Sequence, residues 1–188
     1  MVLGQPIQPK KMDKTYCIFG DSVTEASYVK IGWVDLLRQY LEDKYKDDIN
    51  VFNLGVSGNT TGDILKRFSS EAASRNPTEI IFEVGINDTK DNDLKQFRTN
   101  LEELIKLAKE STSEVTFVGL FLGNWTGDDP FSEVRTESHN KILKEVAELK
   151  GCRFIDLQGK LAPEDFQDGL HPNDQGHRKM FEVIKGYF

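Results

Sequence analysis

The sequence predicts an α/β protein in which helices cover both faces of a five-stranded parallel sheet. The first observation is an alternation, repeated five times along the chain, of short apolar segments with longer amphipathic ones. The second is that the short segments are rich in Val, Ile and Phe and almost wholly apolar, as in strands buried on both faces. Such an alternation favours right-handed crossovers and a three-layer α/β/α sandwich.

The predicted strands are the short apolar segments themselves. Each has a length that is typical of a strand in a globular protein. Because they lack the apolar-polar alternation of a half-exposed strand, we expect helices on both sides of them. They comprise residues 15–19, 50–54, 79–84, 114–120 and 153–157.

The predicted helices lie between and after the strands. Apolar residues recur three or four positions apart in them, which places these side chains on one face of a helix. For the last helix, Asn173 or Asp174 is the expected N-cap. The helices comprise residues 33–45, 63–74, 94–109, 132–149 and 174–184.

Length and composition indicate one compact domain. The chain has 188 residues, 38% of them hydrophobic, which suffices for a core without disulfide support. We predict that residues 1–13 form an N-terminal lead-in and residues 14–188 the domain. Cys17 and Cys152 lie in apolar segments and are expected to be small buried side chains, reduced in a cytosol. A disulfide between them is the alternative.

The charge pattern excludes two broad classes of protein. The formal net charge is −7, whereas binding to nucleic acid or to an anionic membrane surface needs clustered Lys and Arg. No apolar segment is long enough to span a bilayer, and the first residues lack the apolar core of a secretion signal. We therefore expect a cytoplasmic protein without nucleic-acid or membrane partners. No sequence pattern indicates its oligomeric state.

Four short segments combine glycine with polar side chains capable of chemistry. The first three directly follow the first three predicted strands, and the fourth lies between the fifth strand and the last helix. Because ligands of open parallel sheets bind beyond the carboxyl ends of the strands, we expect these segments to meet there. They are Gly20-Asp21-Ser22, Gly55-Val56-Ser57-Gly58-Asn59, Gly85-Ile86-Asn87-Asp88 and Asp168-Gly169-Leu170-His171-Pro172.

The first three segments supply groups that acyl transfer requires. Ser22 offers a nucleophilic hydroxyl, and its backbone N–H is a candidate donor to an oxyanion. The backbone N–H of Gly58 and the side-chain amide of Asn87 are further candidate donors. Each segment alone is also ordinary turn chemistry, so the prediction depends on their meeting at one edge of the sheet.

The fourth segment supplies a candidate base. His171 is kept out of a helix by the following Pro172, and Asp168 is spaced to orient and stabilise its ring. The chain has two other histidines. We predict His139 on the exposed flank of a helix and His177 within the last helix, so neither is the preferred base.

A metal site is the alternative for this region, because Asp168, His171, Asp174 and His177 lie within ten residues. Pro172 and the predicted helix start make it difficult for all four to face one point, so we do not expect a metal there. Motifs of other chemistries are missing from the sequence, among them Gly-x-Ser-x-Gly, phosphate-binding loops, Cys-x-x-Cys and His-Glu-x-x-His.

Taken together, the segments resemble the four sequence blocks of the SGNH, or GDSL-type, hydrolases. The likeness extends from about residue 15 to residue 176 and departs from the family name only in Val23, where the name has leucine. It implies the flavodoxin-like SGNH hydrolase fold and cofactor-free hydrolysis of carboxylic esters or thioesters. The matching residues are Phe19-Gly20-Asp21-Ser22-Val23-Thr24, Gly58, Gly85-x-Asn87-Asp88 and Asp168-x-x-His171-Pro172.

The resemblance also implies a role for each matching residue. Ser22 would be the nucleophile, His171 the base and Asp168 its partner, while Ser22, Gly58 and Asn87 would form the oxyanion hole. The expected substrate is a small-molecule ester, such as an acetylated carbohydrate, a lysophospholipid or a thioester. Acyl transfer to an acceptor other than water is one alternative, and a binding module without turnover is another.

Three residues are candidates to line the substrate pocket. Tyr28 follows the nucleophile closely in sequence, Ile86 fills a variable position of the third block, and Trp125 lies in a polar, glycine-bearing segment after the fourth predicted strand. For each of them a purely structural role is the alternative.

Overall fold

The centre of the molecule is a sheet of five parallel strands. A computed structural model describes residues 14–46, 48–123 and 130–188. The strand order is β2-β1-β3-β4-β5, and every neighbouring pair is parallel, which confirms the predicted sheet. The strands are β1 Lys14–Gly20, β2 Ile49–Gly55, β3 Glu79–Glu83, β4 Glu114–Val118 and β5 Arg153–Ile155.

Helices connect the strands and cover the sheet on both sides. They are α1 Ser22–Glu25, α2 Trp33–Tyr45, α3 Thr61–Ala73, α4 Leu94–Ser111, α5 Glu133–Leu149 and α6 Asp174–Lys185, with 3-10 turns at Asn87–Lys90 and Pro163–Asp165. Helices α2 and α6 pack together against one face, and α3, α4 and α5 pack against the other. The fold is therefore the predicted three-layer α/β/α sandwich.

The two layers of helices enclose two apolar cores that share the sheet. Strand β1 contributes side chains to both cores. Cys17 and Phe19 point into the core beneath α3, α4 and α5. Tyr16 and Ile18 point into the core beneath α2 and α6. Since successive side chains of a strand point to opposite faces, a strand between two cores must be apolar at every position. This explains the uninterrupted apolar segments of the sequence.

Local capping explains where the helices begin. At the start of α3, the Thr60 hydroxyl accepts a hydrogen bond from the backbone N–H of Asp63, whose carboxylate accepts the N–H of Thr60 in return. Asn173 caps α6, which decides between the two predicted caps. The five predicted helices agree with α2 to α6 within two residues at each end.

The strand order creates a crevice at one point of the sheet. From β1 the chain passes to β2 on one side, and β3 then pairs with the other side of β1. Connections therefore leave the carboxyl ends of β1 and β3 in opposite directions, and such switch points are where doubly wound sheets bind ligands. The segments that begin with Gly20 and Gly85 lie at this point.

Ser22 lies outside every predicted helix but is the first residue of the short helix α1. Four residues are too few to show a helical period in the sequence. Cys17 and Cys152 are free and buried, so the expectation of buried thiols is confirmed. None of the helices in the described ranges is long and apolar enough to cross a bilayer. The predicted lead-in of residues 1–13 lies outside the described residues.

Candidate active site

The turn after β1 fixes the position of Ser22. The Asp21 carboxylate caps α1 by accepting the backbone N–H of Val23 at 3.0 Å, so Ser22 occupies the first helical position, where the backbone N–H has no intrahelical acceptor. A Cβ atom at Gly20 would lie 2.6 Å from the carbonyl oxygen of Glu83. Only glycine therefore allows the chain to turn this close to β3.

A chain of hydrogen bonds links Ser22 to a carboxylate. The Ser22 Oγ lies 3.0 Å from His171 Nε2, and His171 Nδ1 lies 2.7 Å from Asp168 Oδ2. With an acceptor at Nδ1, the neutral ring carries its proton there and leaves the Nε2 lone pair for the serine hydroxyl. The geometry is that of a hydroxyl poised to lose its proton to an imidazole.

The surroundings of Asp168 keep it ionised. Partial burial by itself would raise the pKa of Asp168, but hydrogen bonds from the backbone N–H groups of His171 and Leu170 and from the His171 ring outweigh burial. These backbone bonds measure 2.8 and 3.0 Å. The pKa of the carboxyl is therefore below its usual value, and the carboxylate is available to stabilise a charged imidazole ring.

The loop that carries Asp168 and His171 is held at both ends. Phe166 and Pro172 form an isolated antiparallel bridge, and the Gln167 N–H donates to the carbonyl oxygen of His171 at 2.9 Å. On the outer side, the ring of Tyr28 lies 4.3 Å from the His171 ring, centroid to centroid. Tyr28 is 51% exposed, so it forms an open wall beside the imidazole.

The turn after β2 presents an unused N–H at Gly58. The N–H of Asn59 returns to the carbonyl of Val56 at 3.1 Å, and the N–H of Ser57 donates to Glu25 at 3.2 Å. Gly58 itself has φ +80°, and a Cβ there would meet no atom within 4 Å. The Gly58 N–H has no partner among the described residues.

The side-chain amide of Asn87 contacts the turn that contains Gly58. Its Nδ2 donates to the carbonyl oxygen of Asn59 at 3.1 Å, which leaves the second amide hydrogen for another acceptor. The following Asp88 accepts hydrogen bonds from the backbone and hydroxyl of Thr61, at the start of α3. Asp88 thus ties the turn after β3 to the next helix, while Asn87 faces the turn that contains Gly58.

Two buried carboxyl groups lie close to Ser22: Asp21, which precedes it in sequence, and Glu83 at the end of β3. This pair was not predicted from the sequence. Asp21 and Glu83 are 0% and 1% exposed, and one oxygen of each has no hydrogen-bond partner among the described residues. The Thr24 hydroxyl donates to the other Glu83 oxygen at 2.8 Å. Burial raises the pKa of Asp21 to about 7 and that of Glu83 well above its ordinary value, so the pair retains a proton near neutral pH.

The other two histidines are structural. His177 is 2% exposed, and its Nδ1 accepts the backbone N–H of Trp33 at 3.2 Å. The prediction that His139 lies on an exposed flank is wrong: it is fully buried, and its Nδ1 bonds to the Arg135 carbonyl at 2.8 Å. Its helix is packed on two sides, which a single amphipathic pattern does not reveal.

The alternative of a metal site has no geometric support in the described ranges. There, no group of three or more His, Cys, Asp or Glu side chains is arranged to hold a metal ion. His171 bonds to Asp168, whereas His177 turns into the core toward Trp33. The spacing in sequence therefore does not become a cluster in space.

The three candidate lining residues have different surroundings. Tyr28 stands beside the His171 ring. Ile86 is only 4% exposed and belongs to the core beneath α3, α4 and α5, so its side chain mainly supports the turn that holds Asn87. Trp125 lies outside the described residues.

One family model matches most of the chain. The model of the GDSL-like lipase/acylhydrolase family matches residues 18–179, which include all four sequence blocks. The chain therefore belongs to this family.

Individual relatives carry the comparison further. An acetylxylan esterase of Xylanibacter ruminicola is 26% identical over 94% of this chain, although the match spans only 43% of that protein. An arylesterase of Vibrio mimicus is 30% identical, over 89% of this chain and 84% of its own length. The crystal structure of an acetylxylan esterase from Geobacillus stearothermophilus superimposes with a TM-score of 0.79 at 21% identity, covering 93% of this chain and 94% of its own.

Proposed function

We propose that this protein hydrolyses carboxylic esters through an acyl-enzyme intermediate on Ser22. The observation that carries the proposal is the unbroken series of hydrogen bonds from Ser22 through His171 to Asp168. A hydroxyl, an imidazole and an ionised carboxylate in this order are the parts of a nucleophile activated by a positioned base. The shared sheet supports treating residues 14–188 as the single domain that contains them.

In the first half of the reaction, Ser22 Oγ attacks the ester carbonyl carbon while its proton passes to His171 Nε2. The carbonyl electron pair moves onto oxygen, which gives a tetrahedral oxyanion. When the carbon–oxygen bond to the alcohol breaks, His171 returns the proton to the leaving oxygen. Asp168 stabilises the imidazolium that exists between these two transfers.

The second half repeats these steps with water. His171 removes a proton from a water molecule while the water oxygen attacks the acyl carbon on Ser22. Collapse of the second tetrahedral species breaks the bond to Ser22 Oγ, which takes back the proton, and the carboxylic acid is released. Every proton is returned, so the cycle needs no external reagent besides water and ester.

Three donors are available for the oxyanion in both halves. They are the backbone N–H groups of Ser22 and Gly58 and the free amide hydrogen of Asn87. Two lie on turns that directly follow β1 and β2, and the third follows β3, so the sheet supports all of them. Donors held in place before the reaction stabilise developing charge at no cost of reorganisation.

For the substrate, we propose small acyl esters, with acetylated carbohydrates as the leading class. Two of the relatives above are acetylxylan esterases, and one is an arylesterase. The exposed Tyr28 ring lies beside His171, the group that would protonate the leaving alcohol, and it offers a flat surface there. An aromatic ring of this kind suits a sugar or an aryl group.

The test compares wild type with Ser22→Ala on p-nitrophenyl esters of increasing chain length and on acetylated xylo-oligosaccharides. We expect wild-type turnover to be highest with acetyl and to be lost in Ser22→Ala, with a fluorophosphonate labelling wild type alone. Ser69→Ala, which alters an exposed serine of α3, is the matched control. Full activity of folded Ser22→Ala, or an inactive wild type, would reject the proposal. Adding sugar acceptors and analysing the products separates hydrolysis from acyl transfer.

A further inference from the structure

Arg67 occupies a position that neither the triad nor the donors explain. It lies in α3, and its side chain is only 18% exposed, although it is charged. A guanidinium group held in such a place needs several acceptors, because burying an unpaired charge is costly. Arg67 satisfies this need with backbone and side-chain oxygens at the carboxyl ends of β1 and β2.

The contacts of Arg67 reach two of the three turns that carry the oxyanion donors, those after β1 and β2. Its Nη2 lies 2.8 Å from the carbonyl oxygen of Leu54 at the end of β2, and 3.4 Å from that of Gly20 at the end of β1. Its Nε donates to Asn59 Oδ1 at 2.8 Å. The guanidinium therefore joins the segment that leads to Ser22 with the turn that contains Gly58.

Asn59 extends this connection to the third donor. Its backbone carbonyl accepts the hydrogen bond from Asn87 Nδ2, and its N–H closes the turn around Gly58. A shift of Asn59 would consequently move the Gly58 N–H and the Asn87 amide together. The side chain of Asn59 accepts a hydrogen bond from Arg67, so the guanidinium is linked to both donors through this one residue.

The orientation of the guanidinium is itself fixed from two sides. Glu71, one turn further along α3, bonds to Nη1 at 2.6 Å, and the ring of Phe19 lies 5.5 Å from Cζ. A planar group with donors in several fixed directions can meet these partners at once, whereas the ammonium of a lysine is a single point charge.

We propose that Arg67 is a positioning residue that aligns the oxyanion donors through Asn59. The inference rests on the proposed function, since the aligned donors act on the tetrahedral species of ester hydrolysis. Arg67 is not expected to touch the substrate. Its loss should therefore weaken stabilisation of the transition state and leave binding of the ester almost unchanged.

The test uses Arg67→Lys, which keeps the positive charge but replaces the planar guanidinium and its fixed donor directions with an ammonium group. We expect kcat for an acetyl ester to fall about 10- to 100-fold, as for a misplaced catalytic group, with KM changed less than about threefold. Affinity for a boronic acid, which forms a tetrahedral oxyanion adduct with Ser22, should fall in parallel with kcat/KM. Arg98→Lys is the matched control, because Arg98 forms a similar ion pair with Glu145 on the surface.

Asn59→Ala is the second variant. It removes the side-chain oxygen that accepts the hydrogen bond from Arg67. If the two residues act as one unit, the double variant should lose no more activity than the worse single variant. Folded Arg67→Lys with unchanged kcat, or with lowered kcat but unaltered boronic acid affinity, would overturn the inference. So would fully additive losses in the double variant. Failure of the proposed function is recognised separately, by an inactive wild type or an active Ser22→Ala.

Discussion

Replacement of His177 by asparagine should flatten the dependence of stability on pH in the acid range. His177 is buried in α6 and accepts the backbone N–H of Trp33 through Nδ1. The Oδ1 of asparagine stands at the same bond separation from the backbone and can accept the same hydrogen bond. The substitution thus removes a titratable ring while keeping its contact.

The magnitude follows from the pKa of the buried ring. Burial lowers the pKa of His177 from 6.5 to about 4, even though Asp174 and Asp35 favour the charged form. Between these values the unfolded chain binds a proton that the folded protein rejects, so stability falls as the pH falls. At 1.36 kcal/mol per pKa unit, the loss amounts to about 3 kcal/mol by pH 4.

Urea unfolding followed by circular dichroism at pH 4 to 8 measures this effect. The free energy of unfolding of wild type minus that of His177→Asn should decrease by about 3 kcal/mol from pH 7 to pH 4. Asp21 and Glu83, whose pKa values are raised, contribute a slope of opposite sign, but this slope is common to both proteins and cancels in the difference. Parallel stability curves for the two proteins would refute the reasoning.

Three further predictions concern the site. Asn87→Ala should lower kcat about 10²- to 10³-fold with little change in KM, since it removes one oxyanion donor; steady-state kinetics in which only KM rises would contradict this. Asp168→Asn should lower kcat about 10⁴-fold without unfolding the protein, because an amide at this position favours the wrong tautomer of the His171 ring; an unchanged pH–rate profile in this variant would count against the assignment. Burial raises the pKa of Asp21 from 3.8 to about 7, so wild type loses stability as the pH rises through this range. Asp21→Asn retains an acceptor for the helix cap, and its stability relative to wild type should increase from pH 4 to pH 8 in urea titrations.

The elements of secondary structure could be predicted because their signals are local. The Val-, Ile- and Phe-rich segments and the helical spacing of apolar residues depend only on neighbours within a few positions, and they located five strands and five helices to within two residues. The same local signals placed Ser22, Gly58 and Asn87 directly after strands. The short α1 escaped prediction, since its start depends on the Asp21 side chain rather than on a period.

The residues that surround the site were not predictable in the same way. Glu83 ends an apolar strand, and its buried partner Asp21 comes from a different strand end. Arg67 and Glu71 have the spacing of an ordinary surface ion pair on a helix. Only the crossover that carries α3 over the ends of β1 and β2 turns this pair into a support for Asn59.

Local residue patterns are sufficient to predict the kind of fold, the family resemblance and the order in which the reactive groups occur along the chain. Which of these groups are in contact depends on the packing of the whole domain. Ser22 and His171 are separated by 149 positions in the chain and by 3.0 Å in space. Contacts of this range follow from how helices pack on a twisted sheet, and no pattern of neighbouring residues encodes that distance.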